Sequence, residues 1–83
     1  MEDLKLRFFK NNKLVQIPKK EKDKILLFDW FVTLLNHNKT YSEKEINEVI
    51  KAYYDDYAII RRYMVDYGYL KRTDDGKRYE RVR

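Results

Sequence analysis

The stretch from Ser42 to Tyr79 constrains this chain more than any other, because it carries a helix start, a helix restart, a helix stop and a turn in close succession. It opens on Ser42-Glu43-Lys44-Glu45, a capping box: the Ser42 side chain takes the N–H of residue 45, and the Glu45 carboxylate reaches back to the N–H of Ser42. Ile46, Val49, Ile50 and Tyr53 follow at helical spacing, which predicts a helix over residues 42–54 with Lys44, Asn47, Glu48 and Lys51 turned outward. Asp55 and Asp56 offer an N-cap for a further helix over 56–67, and their charge suits the positive end of its dipole. Gly68 stops that helix in a left-handed cap. Residues 69–82 then read as a hairpin turning on Asp75-Gly76.

Within the 56–67 helix, the spacing predicts burial of Tyr57, Ile60, Met64 and Tyr67 and exposure of Ile59, Arg62, Tyr63 and Asp66. Upstream, residues 20–37 form a main core helix whose apolar stripe includes Leu27, Trp30, Phe31, Leu34 and Leu35, with Trp30 as a core anchor. Residues 1–18 contain two β-rich runs around Asn11-Asn12, a pair that tolerates positive φ, and so predict a short hairpin. If its strands pair, Leu6, Phe8, Val15 and Ile17 face the core, leaving Arg7, Lys10 and Lys13 in water. The sum is an α+β chain, winged-helix-like: three helices, a C-terminal hairpin wing and an additional N-terminal hairpin, in one domain over 1–83. Nucleic-acid binding becomes the first function to test.

Eighty-three residues suffice for one core only, since a chain this short buries about 60% of its unfolded surface. At 43% hydrophobic and 16% aromatic residues, the chain folds despite being 40% charged. It has no cysteine, and Ile25 to Leu35 is broken by Asp29 and too short to span a bilayer. Met1 to Lys5 lack the plan of a signal peptide. A cytoplasmic protein that avoids membranes is expected.

The net charge of +5 is unevenly placed. Residues 1–20 carry six basic against two acidic side chains and residues 67–83 six against three, whereas the middle of the chain sums to slightly negative. DNA phosphates are therefore expected to meet the hairpins: Lys71, Arg72, Lys77, Arg78 and Arg81 from the wing, and Lys10 and Lys13 from the N-terminal hairpin. The same lysines and arginines could instead be solvated strand edges that resist aggregation.

Arg62 is the helix residue that a DNA reading most requires, because guanidinium groups read guanine edges and phosphates. Arg61, following Ile60, is placed to brace the edge of the buried face. Asp55 and Asp56 oppose a polyanion where a recognition helix normally enters the groove, so the wing should contribute more than the helix. Ile59 and Tyr63 suggest a different surface, for a homodimer or a protein partner.

The segments FFKNNKLVQIPKK, TYSEKEIN and DDYAIIRRYMVDYGYLKR together resemble a bacterial family catalogued as domain of unknown function 2087. The resemblance covers nearly the whole chain, and its most specific part runs from Arg61 to Arg72. It implies a small prokaryotic module, winged-helix-like, found alone or attached to transcriptional regulators. It implies no catalytic or ligand residues.

An enzyme is not expected. His37 is the only histidine and stands without a partner nucleophile or carboxylate at catalytic spacing. The two glycines are used by a stop and a turn, so no phosphate loop is available, and no metal, cofactor or small-molecule substrate is evident.

Overall fold

A computed structural model describes residues 2–83, with side chains from Lys5 onward. Met1, included in the expected 1–83 domain and 1–18 hairpin, lies outside the described residues. The chain is a mixed α+β fold of four helices and two small antiparallel sheets, consistent with a winged-helix-like arrangement. Its elements are α1 (Glu2–Phe8), β1 (Phe9–Lys10), β2 (Lys13–Leu14), α2 (Glu21–Val32), β3 (Thr40–Ser42), α3 (Glu43–Lys51), α4 (Tyr57–Asp66), β4 (Leu70–Arg72) and β5 (Arg78–Arg81).

The N-terminus departs from the expected hairpin over 1–18. Residues 2–8 are helical, and the strands shrink to two residues each. Glu, Leu, Lys and Arg are good helix formers, and seven residues are too few for a helix to stand alone, so α1 depends on what it touches. Arg7 supplies that contact, with both guanidinium nitrogens on the Asp23 carboxylate of α2 at 3.0 and 3.3 Å. Asp23 is the buried acid of the described residues, and Arg7 pairs with it while its own side chain stays exposed to water as expected.

Asn11 and Asn12 do take positive φ, 53° and 64°, giving the two-residue turn that matches strand twist. That turn pairs Phe9 with Leu14, so these two face inward while Leu6 and Val15 are 84% and 61% exposed. The expected inward set of Leu6, Phe8, Val15 and Ile17 is thus only partly realised, by Phe8 and Ile17 at half-burial. A one-residue change of register reverses the face of every side chain. The Leu14 N–H donates to the Tyr53 carbonyl at 2.8 Å and fastens the hairpin to the end of α3.

The main core helix ends at Val32 rather than at residue 37. Thr33, Leu34 and Leu35 each donate three residues back, a tighter winding, and the Thr33 hydroxyl also donates to the Trp30 carbonyl at 2.5 Å. Leu27, Phe28, Phe31, Val32 and Leu35 are buried, and Trp30 is half-buried between Phe9, Phe31 and Tyr53.

The capping box forms as the sequence predicts, with Glu45 N–H to Ser42 Oγ at 3.1 Å and Ser42 N–H to Glu45 Oε1 at 3.0 Å. The residues before it make a strand that the sequence did not announce. β3 pairs with β5, which pairs with β4, giving the order β3-β5-β4 with Tyr41 opposite Tyr79 and Arg72 opposite Tyr79. Three residues of extended chain become a strand here because β5 offers a free edge and Tyr41 needs burial.

α4 ends in a Schellman motif. The Tyr69 N–H reaches the Met64 carbonyl at 2.8 Å, the Gly68 N–H reaches that of Val65 at 3.1 Å, and Gly68 has φ +80°. Tyr69 is thereby turned into the core, where its hydroxyl donates to Asp29 at 2.6 Å. At the other end of α4, Asp56 occupies the N-cap position but its side chain makes no capping hydrogen bond, so the expected cap is positional only.

Two outcomes are expected. A Cβ at Gly68 meets nothing within 4 Å, so Gly68→Ala should lose only the left-handed backbone penalty, about 1–2 kcal/mol in a denaturant titration. Burial, and then the hydrogen bond to Asp29, hold the Tyr69 phenol above its ordinary value. A raised pKa contributes stability that is present below the unfolded value of about 10 and is lost as pH rises through the folded one. Between about pH 9.5 and 11, Tyr69→Phe should therefore lose less stability than the parent chain, measured by thermal melts across that range.

Candidate nucleic-acid interface

α3, the turn at 52–56 and α4 place Arg61 and Arg62 next to each other with opposite fates. Arg61 points back at α3, donating to Asn47 Oδ1 and pairing with Glu43 at 3.0 Å, its side chain only 18% exposed. It therefore braces the two helices. Its partners are Glu43 and Asn47 of α3 rather than the aspartates around α4. Asn47, expected to look outward, is half-buried beneath it.

Arg62 is exposed and makes no ion pair among the described residues. It lines a groove between α4 and the sheet, together with Ala58, Ile59, Val65 and, from the strands, Arg72 and Tyr79. Arg72 also makes no ion pair among the described residues. Two free guanidinium groups from different elements thus share one concave surface. Asp56 and Asp66 line it too, so its charge alternates in sign and the basic surface is not continuous.

Strand alternation divides the wing. Arg72 lies opposite Tyr79 and so on the groove side, whereas Lys71 lies opposite Glu80, which shares its face with Arg78. Lys71 and Arg78 line a second shallow hollow with Thr40, Thr73, Asp74 and Glu80, and Arg72 borders this hollow as well as the groove. Lys77 is exposed in the β4–β5 turn. Arg81 is half-buried, and its guanidinium donates to the Leu35 carbonyl at 2.8 Å, fastening β5 to the end of α2.

The turn itself is tied by side-chain hydrogen bonds. Asp75 accepts from the Thr73 hydroxyl at 2.6 Å and the Lys77 N–H at 3.0 Å. These bonds, Thr73 foremost, hold its carboxyl below the usual range and keep a fixed negative charge beside Arg78. Lys10 and Lys13 pair across the separate N-terminal hairpin and line neither the groove nor the second hollow.

Ile59 is 38% exposed and lines the groove. Tyr63, expected to be exposed beside it, is half-buried instead, its ring stacked on Phe28 at 5.6 Å with Lys24 over it at 5.5 Å. Phe28 gathers Tyr63, Tyr67 and Tyr69 around itself, and helical spacing alone did not reveal that this core ring reaches so far round α4. The bracing of Arg61 by Asn47 and Glu43 had one signal in the sequence: an amide and a carboxylate four residues apart on the outward face of α3.

Among the described residues no three His, Cys, Asp or Glu side chains gather where they could hold a metal. Among the same residues, no helix is long and apolar enough to cross a membrane.

The neighbouring arginines should separate in stability measurements. Arg61→Ala, which leaves Asn47 and Glu43 without their donor, should cost about 1–2 kcal/mol in chemical denaturation. Arg62→Ala should stay within about 0.5 kcal/mol of the parent.

Residues 13–81 match the model of a family described as an uncharacterized protein conserved in bacteria, DUF2087. No curated protein and no solved structure matches the chain. The matched segment begins at the first residue of β2 and so leaves out α1 and β1.

Proposed function

The chain belongs to the bacterial family DUF2087, and from that premise we propose that it is a non-enzymatic, cytoplasmic, transcription-regulator-type module that binds DNA mainly through phosphates. The observation that carries this reading is the groove between α4 and the sheet, where Arg62 and Arg72 stand unpaired at helix and wing together. In a winged helix, the second helix of the helix-turn-helix pair enters the major groove while neighbouring basic groups hold the backbone. Asp56 and Asp66 in the same groove weigh against base readout, because they repel the duplex at the helix, and favour backbone contacts from the sheet side.

Arg62, Arg72 and Lys77 form the leading set, with Lys71 and Arg78 behind them on the other face of the wing. Arg81 holds Leu35 and Arg61 holds Glu43, so both serve the fold in this reading. Lys10 and Lys13 on the separate hairpin contribute to the field rather than to contacts.

Titration with duplex DNA at several salt concentrations tests the proposal. Three to six phosphate contacts correspond to a slope of log K against log[salt] between about −3 and −5. Arg62→Ala and Arg72→Ala should each weaken binding to all sequences alike and reduce that slope by about 1. Lys10→Ala should leave the slope unchanged. Absence of binding to any duplex or single strand at ~50 mM salt removes the reading.

A second reading has its own support, since Ala58, Ile59 and Val65 give the same groove an apolar floor suited to a protein partner or a second copy. Light scattering that shows a dimer abolished by Ile59→Ser, with DNA binding absent, would favour it.

A further inference from the structure

A second concave site lies away from the groove and uses other residues. Where α1 and the first hairpin approach α2 and the end of α3, a hollow of about 360 Å³ opens, within the range of small-molecule sites. Its walls are aromatic. Phe9 and Tyr53 each meet Trp30 edge to face, with ring centroids at 5.1 and 4.9 Å, and Leu6 stands 84% exposed at the mouth.

Among the described residues, Lys5, Asn11 and Asn12 bring potential donors to these rings. Lys5 Nζ lies 5.3 Å from the Trp30 ring and makes no ion pair among the described residues. Asn11 and Asn12 border the hollow, held there by the turn that fixes their positive φ, with side-chain amides unbonded among the described residues. Among the residues whose side chains are described, no carboxylate lines the hollow.

We propose that this hollow binds a small aromatic carboxylate. The ring of the ligand would extend the edge-to-face set of Phe9, Trp30 and Tyr53 and cover Leu6, while Lys5 receives the carboxylate with the Asn11 and Asn12 amides beside it. A flat ring suits walls already arranged edge to face better than a branched aliphatic group does. One cation with two neutral donors matches a monoanion and leaves a phosphate dianion undercompensated. The site shares no residue with Arg62 or Arg72 and stands independently of the DNA reading.

Trp30 is the only tryptophan in the chain, so intrinsic fluorescence reports on this hollow directly. The experiment titrates the full chain with benzoate and, separately, with its neutral analogue benzamide. A saturable change in Trp30 emission with benzoate is expected, with Lys5→Gln weakening benzoate by about tenfold and altering benzamide by less than about twofold. Asn12→Gly, which keeps the turn and removes one donor, should weaken benzoate by about threefold. The proposal is overturned by emission that responds only linearly up to about 20 mM benzoate, or by equal loss of both probes in Lys5→Gln. Emission that shifts with protein concentration in the absence of any probe also overturns it, because a second copy then occupies the hollow.

Discussion

The angle between the last helix and the wing is set where the chain leaves α4. Gly68 takes a left-handed conformation, the backbone doubles back on Met64 and Val65, and Tyr69 is thrown inward rather than along the surface. Its hydroxyl then bonds Asp29, and a buried phenol held in this way resists rotation. β4 begins one residue later, so the sheet has little freedom to swing against α4. The groove that brings Arg62 near Arg72 exists because of that constraint. A wing attached through a flexible residue would scatter the same charges.

Charge in this small domain divides by partner more than by position along the chain. Arg7, Arg61 and Arg81 each hold a particular oxygen inside the fold, on Asp23, on Glu43 and Asn47, and on Leu35. Among the described residues, the side chains of Arg62, Arg72, Lys77 and Arg78 hold none. A formal charge of +5 therefore overstates the charge at liberty on some faces and understates it on others. Asp56 and Asp66 are set among the free arginines of the groove, so its field changes sign over a few ångströms. A field of alternating sign favours only charges that are placed in register with it.

What could be read in the sequence was whatever the local chemistry decides. The Ser42–Glu45 box, the stop at Gly68, the Asn11-Asn12 turn and the Asp75-Gly76 turn all depend on residues within a few positions of one another, and all four form. Distant partners decided the rest. Residues 2–8 are helical in a setting where Arg7 finds Asp23 sixteen residues away, and β3 exists because β5 lies beside it. In the groove, the helical position of Arg62 foretold its exposure. The pairing register set Arg72 opposite Tyr79 and Lys71 opposite Glu80, and Tyr63 was drawn inward by Phe28 on another helix. The aromatic hollow had no signature at all, since its walls come from α1, β1, α2 and the chain after α3.

Ser42 belongs to two elements at once. It ends β3, where it lies opposite Arg78 of the wing, and it caps α3 through Glu45. No loop separates strand from helix, so the joint carries the placement of the wing directly to the first turn of α3. From there Glu43 and Asn47 hand it through Arg61 to α4. The wing and the helix beside it are therefore joined twice, through Gly68 and through this chain of contacts, and neither is placed without the other.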